Sequence, residues 1–185
     1  APSNTNKTEE YNGTAWSECA NLITARKTGG GAGTTSAGLV FGGYPDTTAT
    51  EEYNGTAWSG GGALIIADRD IAGYGTQNAA MQVGGVASYD GSTEVYNGSA
   101  WSEVANLITG RSALTGVGTT NTAVVWGGAT PSDTVACTEE WDGSSWSAGG
   151  ALIISAKLSS GFGSSANDAV SAASLSDNNA TEQYD

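Results

Sequence analysis

A carboxylate recurs at one position of a repeated motif, and it is the side chain here best suited to acid–base chemistry. The motif reads TEEYNGTAWS at residues 8–17 and again at 50–59, TEVYNGSAWS at 93–102, TEEWDGSSWS at 138–147, and begins once more as TEQYD at 181–185. The repeated acids are Glu9, Glu51, Glu94, Glu139 and Glu182. Two carboxylates on either side of a glycosidic bond can hydrolyse it. Because these five occupy the same position of a repeat, we interpret them as scaffold.

Other catalytic side chains are scarce. The chain has no histidine, which removes the commonest general base and any Ser-His-Asp or Cys-His arrangement. Its two cysteines, Cys19 and Cys137, are too few for a structural zinc site, and we favour two half-buried thiols over a single disulfide. We therefore expect a non-enzyme with no catalytic residue, no metal and no cofactor.

Composition limits the class of protein and its partners. A chain of 185 residues predicts a single domain, 1–185, and 28 glycines with 14% charged residues indicate many short strands and turns. The net charge of −13, with only six basic residues, excludes nucleic acid as a partner. The apolar runs, such as ALIIA at 63–67, are far shorter than the roughly 20 residues that span a bilayer, so we expect no membrane insertion.

The repeat predicts stacked structural units. Its marker tryptophans, Trp16, Trp58, Trp101 and Trp146, are spaced 42, 43 and 45 residues apart. Each unit runs through a basic residue, a glycine-rich stretch, an apolar stretch ending in Gly-Gly, a variable loop, Thr-Glu-x-aromatic, a turn and the tryptophan. The basic residues are Arg26, Arg69, Arg111 and Lys157. The units are about 26–64, 69–107, 111–152 and 157–185, with N-terminal strands within 8–22.

Four strands fit into each unit. The glycine-rich stretch allows close backbone approach and predicts the innermost strand, and the apolar stretch predicts a strand buried on both faces. Asn-Gly or Asp-Gly, at 12–13, 54–55, 97–98 and 142–143, predicts a type I′ turn that joins strands three and four. This turn also accounts for the N-x-S/T sequons at the first three positions. The fourth unit departs, since Ala172 and Ala173 stand where the glycine pair is expected.

The repeated side chains have predicted structural roles. We expect each repeated glutamate to pair with a repeated basic residue, because both occur once per unit and a partly buried charge needs a partner. The repeated tryptophans are expected in the core between units rather than on a sugar-binding surface. A second layer of repetition is present: Trp16–Arg26 resembles Trp101–Arg111, and the segments after Trp58 and Trp146 share GGALII. The unit of duplication is therefore a pair of repeats.

This order of residues resembles the kelch repeat over nearly the whole chain: a base, a glycine-rich strand, an apolar strand ending in Gly-Gly, an aromatic before a turn, and a tryptophan. The resemblance implies an all-β fold, a kelch-like β-propeller of about four blades, each a four-stranded antiparallel meander. The period is shorter than the roughly 50 residues of kelch repeats. The amino-acid sequence of the repeats is also similar to repeats of structural and tail-fibre proteins of phages. WD40 repeats and sialidase Asp boxes do not fit the motif.

The number of blades in the assembled object stays open. The third strand occurs five times, so the chain begins and ends inside a blade. One expectation is a closed four-blade ring in which the N-terminal segment TAWSECANL supplies the last outer strand. The alternative is a stretch of a longer array, or a partial ring completed by another chain.

Function in such a fold belongs where the copies differ, which is in the loops between strands two and three. The candidate ligand-binding residues are Tyr44, Asp46, Tyr89, Asp90, Asp133 and Asp177. Aromatics beside acids suit a glycan, or a divalent cation that bridges to one. We expect a structural or adhesion module, extracellular or virion-associated, whose partners are other protein subunits or surface glycans, with a homo-oligomer possible. A carbohydrate-binding lectin is the alternative, and a glycosidase ranks third.

Overall fold

The computed structural model describes residues 4–87, 89–165, 167–172 and 181–184, and the regular structure of these residues is entirely β. Within them, seventeen strands form five antiparallel sheets, each with its strands in chain order or its reverse. The predicted all-β class is confirmed.

The strands follow the repeat. An N-terminal hairpin contains β1 (Glu9–Tyr11) and β2 (Trp16–Glu18). The first blade contains β3 (Gly30–Thr34), β4 (Ala37–Phe41), β5 (Thr50–Tyr53) and β6 (Trp58–Gly60). The second contains β7 (Ala72–Thr76), β8 (Ala79–Val83), β9 (Thr93–Tyr96) and β10 (Trp101–Glu103). The third contains β11 (Thr115–Gly118), β12 (Ala123–Trp126), β13 (Thr138–Trp141) and β14 (Trp146–Ala148). The fourth contains β15 (Ser160–Ser165), β16 (Asp168–Ala172) and β17 (Thr181–Tyr184).

The four blades are arranged as a β-propeller. Their first strands contact one another in succession, β3 with β7, β7 with β11 and β11 with β15, which places the glycine-rich strands innermost, as the sequence predicts. Among the described residues, no contact of similar extent joins β15 back to β3. The succession of blades therefore has two ends.

The hydrophobic core lies between blades rather than within them. Phe41 and Leu39 of the first blade pack with Tyr96 and Trp101 of the second. A second cluster joins the second blade to the third, and a third cluster joins Trp126 of the third blade to the fourth. Each blade is thus stabilised by apolar surface that its neighbour buries.

Glycine is required where the inner strands meet. A Cβ atom on Gly73 would lie 2.7 Å from the backbone nitrogen of Gly31 and 2.7 Å from Cζ of Phe41. A Cβ on Gly116 would lie 2.8 Å from Cε1 of Tyr74. These distances are shorter than any normal carbon contact, so a larger residue would push neighbouring blades apart.

A row of backbone hydrogen bonds runs from blade to blade just before the inner strands. The N–H of Asp70 donates to the carbonyl of Thr28 (2.9 Å), that of Ala113 to Asp70 (2.7 Å), and that of Leu158 to Ala113 (2.9 Å). All four residues adopt the left-handed conformation, with φ between 53° and 57°. Their side chains have nothing in common, so no pattern of residue types predicts this row.

The hairpin turns differ from the predicted type I′ turn. Four residues, such as Asn12 to Ala15, separate the paired residues of the two strands, and only the glycine has positive φ (94° at Gly13). The Asn12 side chain accepts hydrogen bonds from the backbone N–H groups of Thr14 (2.9 Å) and Ala15 (3.0 Å). Because the asparagine caps the loop in this way, it has no need of the left-handed conformation.

The same capping occurs in the other copies, at Asn54, Asn97 and Asp142. At Asp142, hydrogen bonds from Ser144 and Ser145 lower the pKa of the carboxyl group to about 2. This position therefore keeps an ionised acceptor across the physiological pH range.

The fourth blade departs from the others in a different way than expected. Its strand register pairs Ala172 with Thr181, as Phe41 pairs with Thr50 in the first blade. Ala172 thus replaces a large strand residue, not a glycine of the pair, because the glycine positions fall one residue later, at 173 and 174, outside the described residues. Among the described strands β2 pairs with β1 alone, so it does not complete the fourth blade.

Candidate functional site

The repeated glutamates bind the backbone of the preceding repeat. The carboxylate of Glu51 accepts hydrogen bonds from the N–H groups of Ile23 (2.6 Å) and Thr24 (3.0 Å), which lie between β2 and β3. The same pair of bonds is made by Glu94 to Ile65 and Ile66, Glu139 to Ile108 and Thr109, and Glu182 to Ile153 and Ile154. Glu9 is exposed and makes no such bond to the described residues. These carboxylates therefore clamp each blade to the segment before it.

Two of the predicted ion pairs are present. Arg26 Nη2 lies 2.5 Å from Glu51 Oε1, and both side chains are buried. The guanidinium of Arg26 also donates to the carbonyls of Gly42 (3.0 Å) and Ala49 (2.7 Å). In the third blade, Arg111 forms the equivalent buried pair with Glu139. In these blades the expectation that a repeated base neutralises the repeated acid is correct.

The second blade contradicts the expectation that each repeated glutamate pairs with a repeated basic residue. Arg69 pairs with Asp46, and Glu94 has no basic partner among the described residues. The reason is a difference of one residue: Arg26 is the fourth residue after Leu22, whereas Arg69 is the fifth after Leu64. The buried position that Arg26 occupies is held here by Asp68.

In the fourth blade, the spacing between the leucine and the basic residue is the same as in the second blade. Lys157 is the fifth residue after Leu152, and the buried position is held by Ala156. The pairing of Lys157 with Glu182 stays a prediction.

In the second blade, a glutamine makes one of the hydrogen bonds that the arginine guanidinium makes in the first blade. Gln82 lies opposite Glu94 in the strand register, where the first and third blades have valine, and its Nε2 donates to the carbonyl of Gly84 (2.6 Å). Arg26 makes the corresponding bond to Gly42 in the first blade. The second blade thus keeps the bond to the Gly-Gly carbonyl while it loses the positive charge.

Because of this change, two buried carboxyl groups, those of Asp68 and Glu94, form no ion pair with a basic residue in the described part of the chain. Burial raises the pKa of Asp68, although the backbone N–H groups of Arg69, Val86 and Ala87 donate to its carboxylate and oppose that shift. Burial also raises the pKa of Glu94, and the negative charges of neighbouring acids add to the effect. Ionising either group costs the folded state more than the unfolded chain.

Replacing Asp68 by asparagine should therefore stabilise the protein increasingly as the pH rises. The folded-state pKa of Asp68 lies above its usual 3.8, so in the wild type stability is lost as the pH rises from that value through the folded-state pKa. Asparagine keeps the Oδ1 acceptor for the three N–H groups but cannot ionise. Urea denaturation midpoints at pH 4 and pH 7 measure the difference. Exposed Asp90→Asn is the matched control and should shift the midpoint equally at both pH values; equal behaviour of the two variants would contradict the prediction.

The aromatic residues of the motif also serve the contacts between blades. Trp101 Nε1 donates to Thr50 Oγ1 (2.9 Å), and its ring packs edge-on against Phe41. The Tyr96 hydroxyl donates to the Glu52 carboxylate (2.5 Å), and burial together with this bond raises the pKa of Tyr96. Of the four marker tryptophans, Trp101 and Trp146 are buried and Trp58 is half-buried, as expected of core residues. Trp16 is not, since 67% of its surface is exposed.

The structure brings together two of the candidate ligand-binding residues. The ring of Tyr44, which is 44% exposed, lies beneath Lys27 Nζ (5.1 Å from the ring centroid) and Arg69 Cζ (5.5 Å). Arg69 also forms an ion pair with Asp46. Tyr44, Asp46, Lys27 and Arg69 therefore form one exposed polar cluster, which we call the Tyr44 cluster. Sequence reasoning missed both basic members, because it placed Arg69 in the scaffold and gave Lys27 no role.

The other candidates stand apart. Asp90 caps the N–H of Ser92 (3.0 Å), Tyr89 has positive φ (53°) in the same loop, and Asp133 lies in a separate turn closed by Thr130. No hydrogen bond or ring contact joins these described residues to the Tyr44 cluster. Asp177 lies outside the described residues.

Two cavities lie beside the two sheets that have fewer than four strands among the described residues. One, of about 280 Å³, lies between the third and fourth blades and is lined by Trp126, Thr138, Leu152, Ala169 and Tyr184. Thr138 Oγ1 is buried there and has no hydrogen-bond partner among the described residues. The other, of about 400 Å³, lies between the N-terminal hairpin and the first blade, and its lining includes Tyr11, Trp16, Tyr53 and Trp58.

Other kinds of site find no support in the described part of the chain. It contains no group of three acidic, cysteine or histidine side chains placed to hold a metal, and no helix long and apolar enough to cross a membrane. Cys19 and Cys137 are free thiols. A comparison with models of protein families found no match, and neither did a search of curated proteins.

Proposed function

We propose that the chain is a non-enzymatic structural or adhesion module, a kelch-like propeller that acts outside the cell or on a virion such as a phage particle. One observation carries the proposal: the repeated carboxylates accept backbone N–H groups of the preceding repeat in four successive places. The acids that a glycosidase would need are thereby engaged in holding blades together. The tryptophans that a glycan would stack on are, in two of four cases, buried.

Location and chemistry test this proposal together. Antibodies raised against the folded chain should label particles or cell-surface structures by immunogold electron microscopy, at a regular copy number. The purified chain should release no chromophore from a panel of nitrophenyl glycosides. Label confined to the cell interior, or turnover of any glycoside that follows the protein through purification, would contradict it.

A lectin is the second candidate, and the Tyr44 cluster favours it. A half-exposed ring beside a carboxylate and two cations offers stacking area and both donors and acceptors for sugar hydroxyls. On a glycan array, Tyr44→Ala and Asp46→Ala should each lower the binding signal at least about tenfold, as expected for loss of a central contact.

Glu18→Ala removes an exposed acid from the N-terminal hairpin and is the matched control. Retained binding in Asp46→Ala would exclude this cluster, and loss in Asp90→Ala alone would move the site to the neighbouring loop.

A further inference from the structure

The last blade leaves uncovered a face that the other blades bury. Phe162, at the centre of β15, is 64% exposed. Its equivalent in the second blade, Tyr74, is 6% exposed because Gly116 of the third blade packs against its ring. Phe162 therefore lacks the neighbouring inner strand that covers Tyr74.

The first blade leaves uncovered the complementary face. Gly31 is the equivalent of Gly73, Gly116 and Gly161, each of which packs against an aromatic ring of the preceding blade. Around Gly31, a Cβ atom would meet nothing nearer than the carbonyl of Leu39, at 3.5 Å.

Because the blades are duplicated as pairs, the uncovered face of the fourth blade and that of the first blade match each other. The first blade is of the same type as the third, and the fourth of the same type as the second. The third blade follows the second through Tyr74 and Gly116, so a first blade should follow a fourth through Phe162 and Gly31.

The N-terminal hairpin matches the outer two strands of a complete blade, and among the described residues the fourth blade has only β17 at those two positions. It pairs Glu10 with Ser17 and Tyr11 with Trp16, in the register of β13 and β14. If β1 took the place of β17 beside β16, Glu9 and Tyr11 would make the bonds that Glu182 and Tyr184 now make. In addition, β2 would bring Trp16 to the cavity of about 280 Å³, where Thr138 Oγ1 would accept its N–H as Thr50 accepts that of Trp101.

The matching faces lie at opposite ends of the row of blades. Among the described residues the hairpin lines a cavity with the first blade and pairs with no strand of the fourth, and the row of backbone bonds ends with no backbone partner for the N–H of Thr28 or the carbonyl of Leu158. A second copy would present to each end the face that matches it.

We propose that a second copy of the chain occupies each end, bound head to tail, with the N-terminal hairpin and first blade of one copy seated on the fourth blade of the next. The inference rests on the proposed structural function and names its partner. A head-to-tail contact of this kind forms a ring if the rotation closes and a filament if it does not. Because each copy carries a net charge of −13 and the contact is largely apolar, salt should strengthen it.

Sedimentation equilibrium of the full chain over a wide concentration range tests the proposal. The mass should rise from 18.5 kDa to multiples of it, and Trp16→Ala should weaken the association at least about 30-fold, as for a central aromatic of an interface. Trp16 is exposed within one copy, so this change spares the fold. Ile108→Ala, which removes an exposed apolar side chain from a linker, is the control and should leave the association unchanged.

A second variant shows whether β1 of the second copy replaces β17 or binds beside it. Tyr184→Phe removes the hydroxyl that holds β17 to Glu140 and to Gly150, so it should free the place for β1 and strengthen the association by about fivefold, the worth of one or two hydrogen bonds. Weaker association would show that the second copy does not replace β17.

A mass of 18.5 kDa at every concentration, with Trp16 fluorescence protected from quenchers, would show instead that the ring closes within one chain and would overturn the proposal. The same mass with Trp16 open to quenchers would also overturn it. Neither result bears on the test for glycoside turnover or on particle labelling, so the proposed function fails or stands separately.

Discussion

Replacing Arg111 by methionine should lower the free energy of unfolding by about 3–5 kcal/mol, the cost of removing one partner from a buried ion pair. The Arg111 side chain is 0% exposed, and Glu139 beside it is buried as well. Methionine fills most of the space, so the loss comes from the Glu139 carboxylate, which keeps its two backbone N–H donors and loses its counter-charge. Urea denaturation followed by tryptophan fluorescence measures the change.

Arg69→Met is the matched control for this prediction. Its pair with Asp46 is about one-third to one-half exposed, and such pairs contribute less than about 1 kcal/mol. If both variants lose the same amount, burial does not set the value of these pairs. The double variant Arg111→Met with Glu139→Gln should recover part of the loss, because it removes the uncompensated charge.

Replacing Gly73 by alanine should cost about 3 kcal/mol, the upper end of the range for overpacking, because the added methyl group meets backbone. Besides Cζ of Phe41, the nearest atoms are the backbone nitrogen of Gly31 and the α-carbon of Gly30, which cannot move without displacing the first blade. Thermal or urea unfolding monitored by circular dichroism would show the loss.

Gly31→Ala is the same substitution at the equivalent position of the first blade. There the methyl group has room, so the change should lie within about 0.5 kcal/mol at protein concentrations where the chain is monomeric. A large loss at Gly31 would mean that glycine serves the strand itself rather than the contact between blades. At high concentration Gly31→Ala should reduce head-to-tail association while it leaves the stability of the monomer unchanged.

Periodic features of the fold could be predicted from the sequence because they rest on residues that recur. Asn-Gly or Asp-Gly located each hairpin, and the glycine-rich runs located the inner strands. The turn type was wrong because the Asn12 side chain caps the loop, which backbone preference alone does not reveal. The row of left-handed residues was invisible because Thr28, Asp70, Ala113 and Leu158 share no side-chain chemistry.

The predicted pairing of charges was wrong in the second blade, because it depends on the exact number of residues before the arginine and not only on the order of residue types. Arg69 looked equivalent to Arg26, but one additional residue after Leu64 moved it from the buried position to the surface. That shift took the base away from Glu94 and created the Tyr44 cluster. Of the five candidate ligand-binding residues that the structure describes, Tyr44 and Asp46 share a contact with Arg69, whereas Tyr89, Asp90 and Asp133 lie in other loops, and sequence alone does not show which loops approach each other.

The pairing of blade types also limits how such a protein can grow by gene duplication. Tyr96 donates its hydroxyl to Glu52 and accepts an N–H from the GGALII segment, at Gly62. Trp141, at the same position of the next blade, has no hydroxyl to offer. Inserting a copy of the third blade alone after a GGALII segment would set a tryptophan there and leave a carboxylate without its donor, whereas inserting a pair of blades preserves the tyrosine at that contact. Relatives of this chain should therefore differ in length by steps of about 85 residues, the length of two repeats, and lineages that add one repeat should show compensating changes at the aromatic.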